Sequence, residues 1–166
     1  MGKNPVIKPN VIYKKMTLVT WGCGNRLETT KFKGIKNGLG NKPKDGGLWT
    51  SPYQSENSWR KWGKANKYGN FNSRIKMRFE GWLFVVDEER DLAYLPREKW
   101  YLRNNSSYPY LNCVSLVDSC VDGIWLTARG QRETHGYYFR RDYDWNLYGW
   151  DCETVLLFNL DCVKQV

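Results

Sequence analysis

The chain has 166 residues, 41% hydrophobic and 26% charged, which is enough to close one core of ordinary size in a single domain. No run approaches the roughly 18 apolar residues of a spanning helix, so that class of membrane protein is excluded. The formal charge of +9 is unevenly shared, with +14 in residues 1–79 and −5 in residues 80–166.

Such a basic half fits an electrostatic footprint for nucleic acid or for an acidic protein, and it equally fits a basic surface that serves only solubility. The opening segment MGKNPVIKPN has no apolar leader core, and Val6 stands where a myristoylation signal needs Ser or Thr. The expectation is a cytoplasmic monomer, in the host cytoplasm if a phage carries it. Cys23, Cys113, Cys120, Cys152 and Cys162 match no zinc spacing, so no metal is expected. Two readings of them stay open: buried reduced thiols, and a nucleophilic thiol served by the only histidine, His135.

Residues 1–10 read as an extended arm, with Pro5 and Pro9 blocking regular structure; the domain proper is 11–166. Val11 to Trp21 is a strand ending at Gly22-Cys23-Gly24, where the chain can turn. A short helix follows, capped by Thr29 or Thr30, carrying Phe32, Ile35 and Leu39, and stopped at Asn37-Gly38. A lysine-rich loop then feeds Gly46-Gly47 and a strand through Ser51. The next helix, capped by Ser55 or Asn57, carries Trp59 and Trp62 at i, i+3 spacing.

Residues 65–73 read as loop and Ile75–Val86 as a strand with Trp82, Phe84 and Val86 on one face. A short helix is expected near Pro96–Tyr101 and a loop at Asn104–Pro109. Strands are expected at Cys113–Val121, Gly123–Thr127 and Gly136–Phe139. After the aromatic loop Asp142–Gly149 comes Thr154–Phe158, an unbroken apolar run of the kind buried strands use. Short strands outnumber helices, so the class is α+β with mainly antiparallel sheet and short flanking helices.

The segments LVTWGC, TTKFKGIKNGLG, GGLWTSPYQSENSWRKW and DCETVLLF follow one another in an order that resembles the ADP-ribosyltransferase fold. The resemblance is to the branch of diphtheria toxin and the poly(ADP-ribose) polymerases, and it implies two mainly antiparallel sheets around an NAD cleft. In that frame Trp49 resembles the strand aromatic that stacks on nicotinamide, and Trp62 the aromatic that closes from the other side. Gly22 resembles the backbone donor to the carboxamide, and Ser51, Ser55 or Ser58 the nearby hydroxyl. Glu153 matches the catalytic glutamate, with Asp151 two residues earlier where an acceptor-orienting residue stands. The family histidine falls at or near Trp21, while His135 lies in another segment.

What the resemblance implies is NAD as co-substrate and transfer of ADP-ribose to a macromolecular acceptor, protein or nucleic acid, in a toxin-like enzyme. The bond from nicotinamide to ribose breaks through an oxocarbenium-like state. A carboxylate such as Glu153 that meets the developing charge stabilises that state selectively. The nicotinamide of NAD is cationic, so an indole face adds cation–π attraction to stacking. Arg140, Arg141, Trp145, Tyr148 and Trp150 are the candidate acceptor contacts, because their loop leads almost directly into Glu153.

Blander readings stand beside each of these. Glu153 reads equally as a strand-edge charge, the tryptophans as core cover, and Arg140-Arg141 as a solvated pair. The alternative function is a non-catalytic, basic, aromatic-rich protein on the same fold. Such a protein binds nucleic acid or blocks a host protein, as small phage or mobile-element proteins do.

Overall fold

The computed structural model describes residues 9–38, 40–101, 107–136 and 146–166. In chain order these hold β1 (Val11–Trp21), β2 (Leu48–Pro52), α1 (Trp59–Ala65), β3 (Arg74–Val86), β4 (Arg97–Tyr101) and β5 (Ser107–Leu111). Then come α2 (Cys113–Asp118), β6 (Gly123–Leu126), α3 (Ala128–Thr134), β7 (Thr154–Leu157) and β8 (Val163–Gln165). The class is α+β, rich in strand with a few short helices. None of the described helices is long and apolar enough to cross a membrane.

The long antiparallel ribbon of β1 and β3 is the frame, with Val11 opposite Phe84 at one end and Trp21 opposite Arg74 at the other. On the far edge of β1 lies β2, then β7, then β6, and β6 returns to the other edge of β3. The hydrogen-bonded order β1-β2-β7-β6-β3-β1 is therefore a closed ring of five strands, which removes the edges an open sheet would leave. Among the described strands only β3 and β6 run parallel. Their parallel pairing requires a long crossover, and residues 87–122 supply it. On the edge that β3 gives to β6, β8 pairs further back, at Met77–Phe79.

The period-2 alternation of the ring strands sorts the core into two clusters. Leu18, Leu48, Met77, Leu83, Trp125 and Val155 come from all five ring strands and pack together, so they fill the inside of the ring. Phe84, Val86, Ile124, Leu126 and Leu156 point the other way. There Leu92, Leu111 and Leu116 of the crossover cover them. Strands β6 and β7 are thus buried on both faces, which is why their sequences read as continuous apolar runs.

Several local expectations change. The helix expected after Thr29 is a single 3-10 turn, Thr29–Lys31. Beyond it Lys36 pairs with Asp45, and the Gly34 carbonyl lies against Gly46, so this stretch is consumed by β-type pairing. The helix expected near residues 96–101 is β4, paired with β5 as a separate hairpin; its Ser107–Leu111 strand overlaps the expected loop. The strand expected at residues 113–121 is instead α2. Asn112 Oδ1 accepts the Ser115 N–H at 3.0 Å, and Cys113 and Leu116, one turn apart, share the buried face. Thr127 caps α3 the same way through Gly130 N–H, 3.0 Å. The strands form two sheets, a six-stranded one in which β8 adds to the five-strand ring and the two-stranded β4–β5 hairpin. Residues 137–139 of the expected Gly136–Phe139 strand lie outside the described residues, as does all of the arm before Pro9.

Candidate functional site

The glycine pair sets the site. Gly46 and Gly47 have φ of +86° and +74°, the region in which a Cβ is strained. A Cβ on Gly46 would lie 2.0 Å from the Gly34 oxygen, and one on Gly47 would lie 2.8 Å from Leu156 Cδ1 and 2.9 Å from the Leu157 oxygen. Glycine here lets β2 close onto β7 in the register Leu48–Leu157, Trp49–Leu156, Thr50–Val155. Alternation then sends Leu48 into the ring and Trp49 out of it, 38% exposed, with its ring 4.9 Å from that of Trp150.

Ser51 lies on the same face as Trp49 and is buried. Its Oγ accepts the Trp59 N–H at 3.1 Å and so fixes the first turn of α1. That helix presents Trp59 and Trp62 as a stacked pair, centroids 5.0 Å apart and planes 19° apart, with Tyr68 edge-on to both. Tyr68 reaches them because the chain folds back at once: its N–H bonds to the Gly63 oxygen at 2.7 Å. A side chain on Gly63 would strike Phe71 and that turn. At the end of β1, Trp21 is braced edge-on by Phe71, and the Arg60 guanidinium lies 5.0 Å over its ring. Trp21 Nε1 is buried without a hydrogen-bond partner among the described residues.

Together these side chains wall a cleft of about 500 Å³. Trp49 and Trp150 line it along with Trp59, Trp62, Tyr68 and Trp21. Thr20, Thr50, Ser51 and Thr154, all buried, add four hydroxyl residues to its lining, and the Thr50 hydroxyl donates to the Val155 oxygen at 2.7 Å. Lys42 and Asp151 are its charged lining residues. Asp151 Oδ1 lies 3.2 Å from His135 Nε2. The cleft is of the size and composition that ligand sites use: mostly aromatic, with a few convergent polar groups.

Of the residues singled out for NAD, Trp21, Trp49, Ser51, Trp62 and Asp151 meet in this cleft, and Gly22, Ser55, Ser58 and Glu153 do not line it. Glu153 directly precedes β7 in phase with Val155, whose side chain fills the ring interior. Its Oε1 accepts the Nε1–H of Trp125, another interior residue, at 3.0 Å, and its Oε2 accepts the Ser55 hydroxyl at 2.5 Å. Both oxygens are occupied on the side of β7 away from the cleft. The hydroxyl offered by Ser55 is spent on that carboxylate, and Ser58 is the buried N-cap position of α1. Gly22 makes a turn: its N–H bonds to the Ser73 oxygen at 3.0 Å, so it is not a spare donor.

Of the acceptor candidates, Trp150 is buried, its Nε1–H bonded to the Asn41 oxygen at 2.6 Å, and it serves as cleft wall. Tyr148 is exposed and edge-on to His135. Arg140, Arg141 and Trp145 lie outside the described residues. Sequence reasoning missed Thr20, Lys42, Tyr68 and Thr154. Period 2 could have found Thr154, two residues before Leu156, which pairs with Trp49; nothing local signals Tyr68.

The thiols divide by burial. Desolvation pushes Cys113 and Cys162 up to about 12 and Cys152 up to about 11, so these three stay protonated at neutral pH. Cys23 is exposed beside the cleft. Comparison with protein-family models, with curated proteins and with solved structures finds no match for this chain.

Proposed function

We propose that the cleft binds nucleobases and that the protein is a single-stranded nucleic-acid-binding protein. The observation that carries this reading is the convergence of five tryptophans and Tyr68 on one cleft whose only lining carboxylate among the described residues, Asp151, is already partnered by His135. Stacking on aromatic side chains is worth about 1–3 kcal/mol per base and accepts any base. The surroundings have the matching charge. Lys42 lines the cleft, and α1, which forms one wall, carries Arg60, Lys61 and Lys64. Of these, Lys61 is paired with Glu56. Titration of the tryptophan fluorescence tests the reading. Single strands should quench it, with affinity falling steeply as salt rises, and duplexes should not compete. Absence of quenching by any single strand at low salt would sink it.

A second reading keeps the ADP-ribosyltransferase assignment, fold included, with NAD as co-substrate and a macromolecular acceptor. It is supported by one observation, that Trp21, Trp49, Ser51, Trp62 and Asp151 line a single cleft. In this form Asp151 rather than Glu153 is the carboxylate that meets the ribose, and His135 holds it in place. Transfer of label from NAD to a lysate acceptor, lost in Asp151→Asn, is the expected result. No transfer by the unmodified protein rejects it.

A further inference from the structure

A second cavity, of about 590 Å³, adjoins the aromatic cleft, and the two share Cys23, Gly47, Leu48 and Trp49 in their linings. Trp49 therefore stands at the junction, with aromatic rings on one side and a different chemistry on the other. The second cavity is lined by Arg26, Lys31, Lys33 and Lys44 against Glu28 and Asp45. Lys31 pairs with Glu28 at 2.8 Å and Lys33 with Asp45 at 3.4 Å. The Gly46 N–H and the Lys33 ammonium hold the Asp45 carboxyl below its ordinary range, so it is ionised and balanced at neutral pH. Arg26 and Lys44 make no ion pair among the described residues, which leaves two uncompensated cations in a concave site.

The lysine loop joins the two cavities as well. Lys42 lines the aromatic cleft and Lys44 the basic one. Two residues of chain span at most about 7 Å, so the backbones of the two lysines stand close together between the cavities. Gly47 lines both cavities and Gly46 the basic one.

We propose that the second cavity is a backbone subsite, binding the phosphodiester groups of a strand whose neighbouring base stacks in the aromatic cleft, with Arg26 and Lys44 as the phosphate contacts. This rests on the nucleic-acid reading of the cleft and extends it. The ligand is a strand of several nucleotides threaded past Trp49, not a lone mononucleotide. An aromatic platform beside a cationic track is how sequence-tolerant single-strand sites are built.

The test compares thymidine monophosphate, NAD and a thymidine oligonucleotide of about eight residues by tryptophan quenching. The protein and an Arg26→Ala, Lys44→Ala double variant are both titrated across a salt series, with a melting curve for each. The oligonucleotide is expected to bind at least tenfold more tightly than the mononucleotide. Each phosphate contact on a single strand adds about 0.7 to the salt slope, so the double variant is expected to lose about 1.4 of it. Between about 50 and 200 mM salt that is about a sevenfold smaller fall in affinity. Equal binding of mononucleotide and oligonucleotide, or an unchanged slope in a folded variant, overturns the subsite while leaving the cleft reading intact. A double variant that weakens NAD as much as the oligonucleotide also overturns it, since the cavity then serves a pyrophosphate. Failure of all three ligands to quench rejects the cleft reading itself.

Discussion

Replacing Gly47 with Ala tests the junction on which the cleft depends, and Gly24→Ala is its internal control. Both glycines have positive φ, +74° and +86°, and a side chain in that region costs about 1–2 kcal/mol. Around Gly24 a new Cβ meets nothing within 4 Å, so the backbone strain is the whole effect. At Gly47 the same methyl would press on Leu156 Cδ1 at 2.8 Å and the Leu157 oxygen at 2.9 Å. The second contact is backbone inside a buried strand and cannot turn away. Overpacking of that kind adds about 1–3 kcal/mol, for a total of about 2–5 kcal/mol. At about 3 °C per kcal/mol for a chain of this size, Gly24→Ala should melt roughly 5 °C below the unmodified protein and Gly47→Ala roughly 10 °C below. Thermal unfolding followed by circular dichroism, with denaturant melts for the free energies, reads both. Equal losses for the two variants would refute the tight approach of β2 to β7.

Three further outcomes are expected. Cys120, at φ +60°, ends α2 in a Schellman turn, with Val121 N–H on the Leu116 oxygen and its own N–H on that of Val117. Cys120→Gly should therefore stabilise by about 0.5–1 kcal/mol, and a lower melting temperature would contradict this. Ser55→Ala strips a donor from the buried Glu153 carboxylate and should destabilise by about 1.5–3 kcal/mol in denaturant melts; a neutral result would mean that the carboxylate is solvated. With a disulfide reagent near neutral pH, Cys23 should react first. Cys113 and Cys152, buried and pushed up to about 12 and 11, should stay silent until unfolding or strong alkali, while half-buried Cys162, pushed up to about 12, should lag behind Cys23; early reaction at Cys113 or Cys152 would refute their burial.

The long strands were legible because their alternation is: β1 and β3 lie where the sequence puts them, and Trp49 and Ser51 share a face as period 2 requires. The partners of those strands were not legible. In Thr154–Phe158 every position is apolar or small, so the sequence does not reveal which face of β7 turns into the ring. Only ring closure through the β3–β6 parallel pair decides it, and that choice carries Glu153 inward and Thr154 toward the cleft. The α2 segment, CVSLVDSC, carries β-favouring Val114 and Val117, but the Asn112 cap and the Cys113–Leu116 spacing override that preference. Tyr68 joins the cleft through a turn over Gly63, a contact that no periodicity encodes.

The central claim is that Trp49 is a stacking surface for a base. Its most direct measurement is the affinity of Trp49→Ala for a single-stranded oligonucleotide, beside Tyr94→Ala, an exposed aromatic outside the cleft. Loss of one stacked base at about 1–3 kcal/mol predicts a roughly 5- to 150-fold weaker complex for Trp49→Ala and no change for Tyr94→Ala. Equal affinity of a folded Trp49→Ala variant and the unmodified protein would contradict it.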